Sequence, residues 1–235
     1  MPDDSKTTIQ NTLLAALTKS DFELLKPKLE WADLNIGDVL YGAHEPIEHA
    51  YFPTSGICSV VAQNAEGVQM ETGLIGREGF VGIAIILFAE SAPSQVVVQA
   101  SGRALRISRA KLLKAIQVSP SLHKLLLRFS QTFSVQVSQT AVANGRNKIN
   151  ERLARWLLMC QDRVDSPEFP MTHKFLANML AVRRAGITDA LNFLEGKKCI
   201  RAMRSRILIT DRKCLEIMAG AAYGVPEKEY KRLIS

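Results

Sequence analysis

The chain has 235 residues, of which 47% are hydrophobic and 23% charged, and its formal charge is +7. That composition excludes a disordered or fibrous chain, and the length is enough for one or two domains with a buried core. No apolar run reaches the ~18–20 residues of a membrane span; the richest, Phe80 to Ala89, is too short, and the acidic start Met1-Pro2-Asp3-Asp4-Ser5-Lys6 is unlike a secretory signal, so a cytoplasmic protein with no membrane partner is expected.

Residues 8–29 predict short amphipathic helices ending near Pro27. From Leu34 to Ile107 short apolar or alternating runs follow one another: Val39–Tyr41, Ala50–Phe52, Ile57–Val61, Met70–Ile75, Val96–Val98 and Ala104–Ile107. Turn residues such as Gly37-Asp38, Gly42, Pro53, Gly56, Gly67, Gly76 and Gly102 separate them, a spacing that predicts a small antiparallel roll or barrel. Such a roll either encloses a pocket or is filled by side chains, and both remain open at this point.

Ser108 to Gln117 reads as one helix, and Ser119-Pro120 as an N-cap followed by proline at the first helical position. The long helix after it carries Leu122, Leu126, Phe129, Phe133, Gln136, Thr140 and Ala143 at alternating spacings of four and three, a heptad seam. The first six are assigned to a dimer interface, because a helix this long outruns a small roll; packing on its own domain is the alternative. Asn144-Gly145 and Asn147 to Asn150 predict a hinge, Glu151 to Arg163 a helix, and Asp165 to Pro170 a loop. The cysteines, at 58, 160, 199 and 214, form no CxxC pair and no close Cys/His cluster, so structural thiols are expected, with no metal and no cofactor.

Charge is distributed unevenly. Residues 1–144 hold 12 bases against 13 acids, net −1, whereas residues 145–235 hold 18 against 10, net +8. Between Thr172 and Arg206 there are eight bases (Lys174, Arg183, Arg184, Lys197, Lys198, Arg201, Arg204, Arg206) against Asp189 and Glu195. A basic module joined to a neutral one suggests polyanion binding under the control of the other half. Thr172 is a plausible N-cap, with Met171 and Leu176 spaced for a hydrophobic staple. A turn at Ala181-Val182 and a second helix from Arg183 to Leu194, ending at Gly196, complete a helix-turn-helix, and Cys199 to Thr210 reads as two strands around a basic turn, a wing. The second helix would enter the major groove. Arg184 is the best candidate to grip guanine bidentately; Arg183, Thr188 and Asn192 are candidates for base or phosphate contact. Asp189 would accept from a cytosine amine or orient Arg184 or Arg183, Arg204 and Arg206 would lie on phosphates, and Thr172 and His173 complete the candidate surface, His173 reading chiefly as a surface helix residue.

With these pieces in order, the chain resembles the Crp/Fnr superfamily of bacterial transcription regulators from about Leu34 to Leu215. The strongest pieces are Leu74-Ile75-Gly76-Arg77-Glu78-Gly79-Phe80-Val81-Gly82, Glu151-Arg152-Leu153-Ala154-Arg155-Trp156-Leu157-Leu158 and the Thr172-to-Leu194 motif. The resemblance implies an α+β chain in three parts. An N-terminal antiparallel β-roll (double-stranded β-helix or jelly-roll-like, with flanking helices) would span residues 1–118, a long dimerisation helix and hinge 119–149, and a winged helix-turn-helix 150–235. It also implies a homodimer on a roughly palindromic double-stranded DNA site, with RNA polymerase as a further partner.

Cyclic-nucleotide-binding members carry Gly-Glu and, about ten residues on, Arg-Ser or Arg-Thr; here Gly82 is followed by Ile83, and Ala92-Pro93-Ser94-Gln95 has no base. A phosphate would lack a cation there, so cyclic AMP is not expected to bind in the family's usual way. Gly82, Ile83, Ser94, Gln95, Gln136 and Thr140 are the candidate effector pocket. Members with clustered N-terminal cysteines are not matched, and His44, His49 and His123 read as structural or solvent-facing rather than haem ligands. Two competing functions remain, a small-molecule sensor acting through a protein partner and an enzyme. The second lacks any nucleophile–base constellation, P-loop or metal signature.

Overall fold

The computed structural model describes residues 10–164 and 166–234; the readings placed on Met1–Lys6 and Asp165 lie outside them. Asn11 caps α1 (Thr12–Ala15) by accepting from the Leu14 N–H at 2.8 Å, and Thr18 caps α2 (Lys19–Leu25). Seven strands follow: β1 (Glu30–Leu34), β2 (Val39–Tyr41), β3 (His49–Pro53), β4 (Ile57–Gln63), β5 (Gln69–Ile75), then, after the short helix α3 (Ile83–Ile86), β6 (Gln95–Ala100) and β7 (Gly102–Ser108). They form two antiparallel sheets, β1-β7-β3 and β2-β6-β4-β5, the faces of the expected roll. The sequence signal missed β1. Along Glu-Trp-Ala-Asp-Leu only Leu34 is buried, so this edge strand shows no apolar alternation.

Strand alternation gives the larger sheet two working faces. From β4, Cys58 and Val60 point into the roll, whereas Ile57 joins the other core of the molecule. The roll interior is filled. Phe52 stacks on Phe80 with centroids 5.5 Å apart, and Phe80 meets Phe129 at 5.5 Å.

α4 (Arg109–Val118) leads to α5 (Pro120–Arg146), where Ser119 accepts from the Leu122 N–H at 3.1 Å with Pro120 at the first position, as the sequence predicts. α5 runs through Asn144-Gly145; the break comes at Asn147 and Lys148, whose backbones are extended, and α6 (Ile149–Gln161) follows. Glu151 secures that break, its carboxylate accepting from the Asn147 side chain at 2.7 Å and the Lys148 N–H at 3.1 Å.

The C-terminal half contains β8 (Glu168–Pro170), α7 (His173–Met179), α8 (Arg184–Gly196), β9 (Ile200–Met203), β10 (Arg206–Ile209), α9 (Arg212–Ala219) and α10 (Val225–Ile234). Glu168–Pro170, expected as loop, is a third strand on the wing, pairing with β10 in the order β8-β10-β9. Its proline, a second one just before it at Pro167, and its shortness hide it from a periodicity reading. A second correction concerns the thiols. Cys199 and Cys214 form a disulfide across Cα atoms 5.2 Å apart, because wing pairing brings the start of β9 to α9; Cys58 and Cys160 are free and buried. Burial pushes the Cys58 thiol up to about 12.

Candidate nucleic-acid interface

The helix-turn-helix is set by local chemistry. Thr172 accepts from the Phe175 N–H at 3.1 Å, and Met171 and Leu176 are both buried, as a staple requires. Inward-facing Ile187, Ala190, Leu191 and Leu194 fix the rotation of α8 against α6 and α7, leaving Arg184, Asp189 and Asn192 exposed. Arg183 occupies the N-cap position of α8 and Arg184 its first turn; both are exposed, and among the described residues neither enters an ion pair. His173 Nδ1 lies 3.2 Å from Thr188 Oγ1, which in turn donates to the Arg184 carbonyl at 3.3 Å, so His173 and Thr188 brace the start of the helix. Arg204 is exposed in the two-residue turn of the wing beside Ser205, whose φ is +58°. Arg206 is exposed but pairs with Glu168 of β8 at 2.9 Å, a partner hidden until that strand is seen.

The other candidate residues are placed differently. The α5 seam faces its own chain. Leu122, Leu126 and Phe129 belong to the roll core, and a Cβ on Gly79 would fall 2.0 Å from the Phe129 ring. Phe133 presses on Gly73, where a Cβ would meet it at 2.7 Å. Gln136 spans the Leu74 backbone, its Oε1 accepting from the Leu74 N–H at 2.6 Å and its Nε2 donating to the Leu74 carbonyl at 3.1 Å. Thr140 accepts from Arg155 Nη2 at 3.1 Å and donates to the Gln136 carbonyl at 3.0 Å. Heptad spacing reports that a helix has an apolar face and not what covers it, so the seam assigned to a second copy is corrected to an intrachain contact. The opposite side of α5 exposes Leu127 at 40% and Val142 at 53%, with Gln131, Ser134 and Ser138 between them.

The six pocket candidates are not gathered round one space either. Gly82, with φ +105°, backs onto Ala50, and Ile83 packs against the roll core. Ser94 is half-buried just before β6. Gln95, Gln136 and Thr140 line three separate hollows.

Sequence reasoning missed a buried polar junction between the two halves. α6 lies on the outer face of the larger sheet, where Leu153, Trp156 and Leu157 share a core with Ile57 and Leu74. Within it, the Glu71 carboxyl receives the Trp156 indole N–H at 2.7 Å and lies 2.7 Å from Ser59 Oγ; that hydroxyl is also 2.5 Å from Gln99 Oε1. Burial raises the Glu71 carboxyl to about 7, against the pull of these donors and of the Arg163 and Arg155 charges. Arg155 and Trp156 stood in the sequence as part of an ordinary amphipathic helix, and only the docking shows their partners.

Comparisons agree with this architecture. Residues 33–119 match the family model described as cyclic nucleotide-binding domain, and residues 151–218 match that of the Crp-like helix-turn-helix domain. The comparison with curated proteins returns no match. Among solved structures, FixK2 from Bradyrhizobium japonicum is similar with a TM-score of 0.71 at 16% identity, covering 83% of this chain and 99% of that one. CLP of Xanthomonas campestris, described as a c-di-GMP-responsive global regulator, gives 0.64 at 14% identity, with 82% and 99% covered. A transcriptional regulator from Thermus thermophilus gives 0.62 at 20% identity, with 83% and 100% covered. These likenesses share the fold. No helix among the described residues is long and apolar enough to cross a membrane.

Proposed function

Since the chain belongs to the Crp/Fnr superfamily of DNA-binding transcriptional regulators, we propose that it acts as a homodimer, each copy laying α8 in one of two successive major grooves of a roughly palindromic duplex. The observation that carries this is the exposed start of α8, where Arg183 and Arg184 stand free of ion pairs among the described residues, flanked by the wing's Arg204. Arg184, Asp189 and Asn192 read base edges, Thr188 and His173 hold the helix start, and Arg183 and Arg204 take phosphates; Arg206 reaches DNA by leaving Glu168. The copies meet along Leu127, Gln131, Ser134, Ser138 and Val142 of α5, which sets half-sites about one helical turn, roughly 34–36 Å, apart.

The function is regulatory rather than catalytic and is exercised in the cytoplasm, with RNA polymerase as the downstream partner. Cyclic AMP is not held in the family's usual way, for Ile83 stands where an acid would grip the ribose and aromatic rings fill the roll. Fluorescence anisotropy with the duplex upstream of the coding region, at graded salt, tests the reading. Six to ten phosphate contacts predict an affinity falling about 10³–10⁵-fold between roughly 50 and 200 mM salt. Salt-independent binding, or no binding to any duplex, refutes it.

A further inference from the structure

α10 lies beyond residues 151–218, the part matched to the helix-turn-helix family. It does not extend the DNA-binding module. It folds back along α5, where the Tyr230 hydroxyl donates to the Glu78 carbonyl at 2.8 Å and Arg128 donates to the Leu233 carbonyl at 3.4 Å. Between α10, α5, the end of α6 and Glu78 of the roll lies a cavity of about 310 Å³. Its apolar wall is aromatic, made by Phe129 and Phe133 of α5 with Tyr223 and Tyr230.

The wall holds three acids, Glu78, Asp162 and Glu227, and three bases, Arg163, Arg212 and Lys231, of which Glu227 and Lys231 stand outside any ion pair among the described residues. Arg163 lies 2.8 Å from Glu78, and Arg212 lies 2.8 Å from Asp162 and 2.9 Å from Glu216, so each guanidinium already has a carboxylate against it. The Oε2 of Glu227 accepts the Gly224 N–H at 3.0 Å, and among the described residues no cation is in ion-pair contact with it. Lys231, one turn further on, is exposed at the cavity's edge. Tyr230 follows Glu227 by three residues on α10, so the ring and the carboxylate share one side of that helix, while Tyr223 precedes the helix with its ring 5.8 Å from the Arg212 guanidinium.

We propose that this cavity is a binding site for a small organic cation, an aromatic or aliphatic primary amine, whose ammonium group pairs with Glu227 while its hydrocarbon body lies on the aromatic wall. A cation over the Tyr230 ring beside a carboxylate outside any ion pair gains from both, whereas an anion meets Glu227 where Arg163 and Arg212 already lie against Glu78 and Asp162. Burial raises the Glu227 carboxyl above its ordinary value, and a bound cation offsets that penalty. The wall draws on the roll, α5 and the DNA-binding half at once, so an occupant has different contacts in different arrangements of the halves. That coupling to DNA rests on the regulator reading; binding itself does not.

Phenethylamine, phenethyl alcohol and phenylacetate share one ring and differ in head group, and thermal shift of the full chain without DNA compares them. At about ten times its Kd the amine raises Tm by roughly 3–6 °C, while the alcohol and the acid leave it unchanged. Glu227→Gln keeps an acceptor for the Gly224 N–H and abolishes the amine's shift. Lys231→Glu, a change at an exposed position, adds a second carboxylate at the rim and tightens amine binding severalfold. No shift with the amine up to about 10 mM, where a millimolar Kd would register, overturns the proposal. So does an equal shift with phenylacetate or the alcohol, an undiminished shift in Glu227→Gln, or unchanged affinity in Lys231→Glu. Anisotropy with duplex DNA is measured separately. A chain that takes the amine but no duplex refutes the regulator reading alone, and one that takes duplex but no amine refutes the cavity alone.

Discussion

Replacing Glu71 by glutamine removes the one ionisable group in the Ser59–Gln99–Trp156 junction while keeping its shape. The folded protein holds the Glu71 proton up to about pH 7, whereas the unfolded chain releases it near 4.5. The sign follows from proton counting. Between those values the folded state binds more protons, so stability is fully present below the unfolded value, falls as pH rises through about 7, and is flat above as far as this group is concerned. A gap of that size corresponds to about 3 kcal/mol at full ionisation, and about 1 kcal/mol of it is already lost at pH ~5. Glu71→Gln is therefore close to wild type below pH ~4, more stable by about 1 kcal/mol at pH ~5 and by up to about 3 kcal/mol at pH ~8, the last roughly 6–12 °C in Tm for a chain of this length. Urea unfolding followed by circular dichroism at four pH values between these limits measures it, with Trp156 emission reporting on the junction. Parallel stability curves for wild type and variant across the whole range would refute the reasoning, because they would place the wild-type carboxylate in contact with water or already matched by Arg155 or Arg163.

Other outcomes follow from single contacts. Arg184→Ala is expected to cost about 1–3 kcal/mol in DNA binding and to relax preference at one base position, whereas uniform weakening across sequences in a binding-site selection would make Arg184 a phosphate contact. Gly79→Ala drives a methyl into the Phe129 ring and should lower stability by roughly 1–3 kcal/mol, read by chemical denaturation; a neutral result would show that α5 shifts freely on the roll. Thr172→Ala removes the cap from α7 at a cost of about 1 kcal/mol in thermal unfolding, with a second contribution absent if the cap alone matters. Thiol titration of the unreduced, denatured chain should count Cys58 and Cys160 but not Cys199 and Cys214, and reduction should lower stability by up to about 3 kcal/mol for a loop of this length; four reactive thiols before reduction would rule the disulfide out.

What could be read directly from the chain was whatever neighbouring residues decide among themselves. Ser119-Pro120 starts α5 and Met171, Thr172 and Leu176 start α7 because capping and stapling act over three to five positions. Glycine-punctuated runs marked six of the seven roll strands because alternation and turns are also local. Partners chosen over long distances left little trace. The seam from Leu122 to Thr140 announced an apolar face but could not say that the roll's own Gly73, Leu74 and Gly79 receive it. Nothing near Glu71 signals Trp156, 85 positions away, and nothing near Arg206 signals Glu168, because each pair exists only once separate elements have docked. Cys199 and Cys214, 15 residues apart, gave no motif; their pairing depends on where the wing turns the chain.

The hydroxyls of Thr12 and Tyr230 lie 3.2 Å apart, so helices near opposite ends of the polypeptide share a polar contact. A dye pair attached beside these two positions therefore begins at minimal separation and brightens or dims when α10 leaves α5 and the roll. The fold supplies its own ruler for that motion, one that can be read in solution on the intact chain while duplex or amine is added.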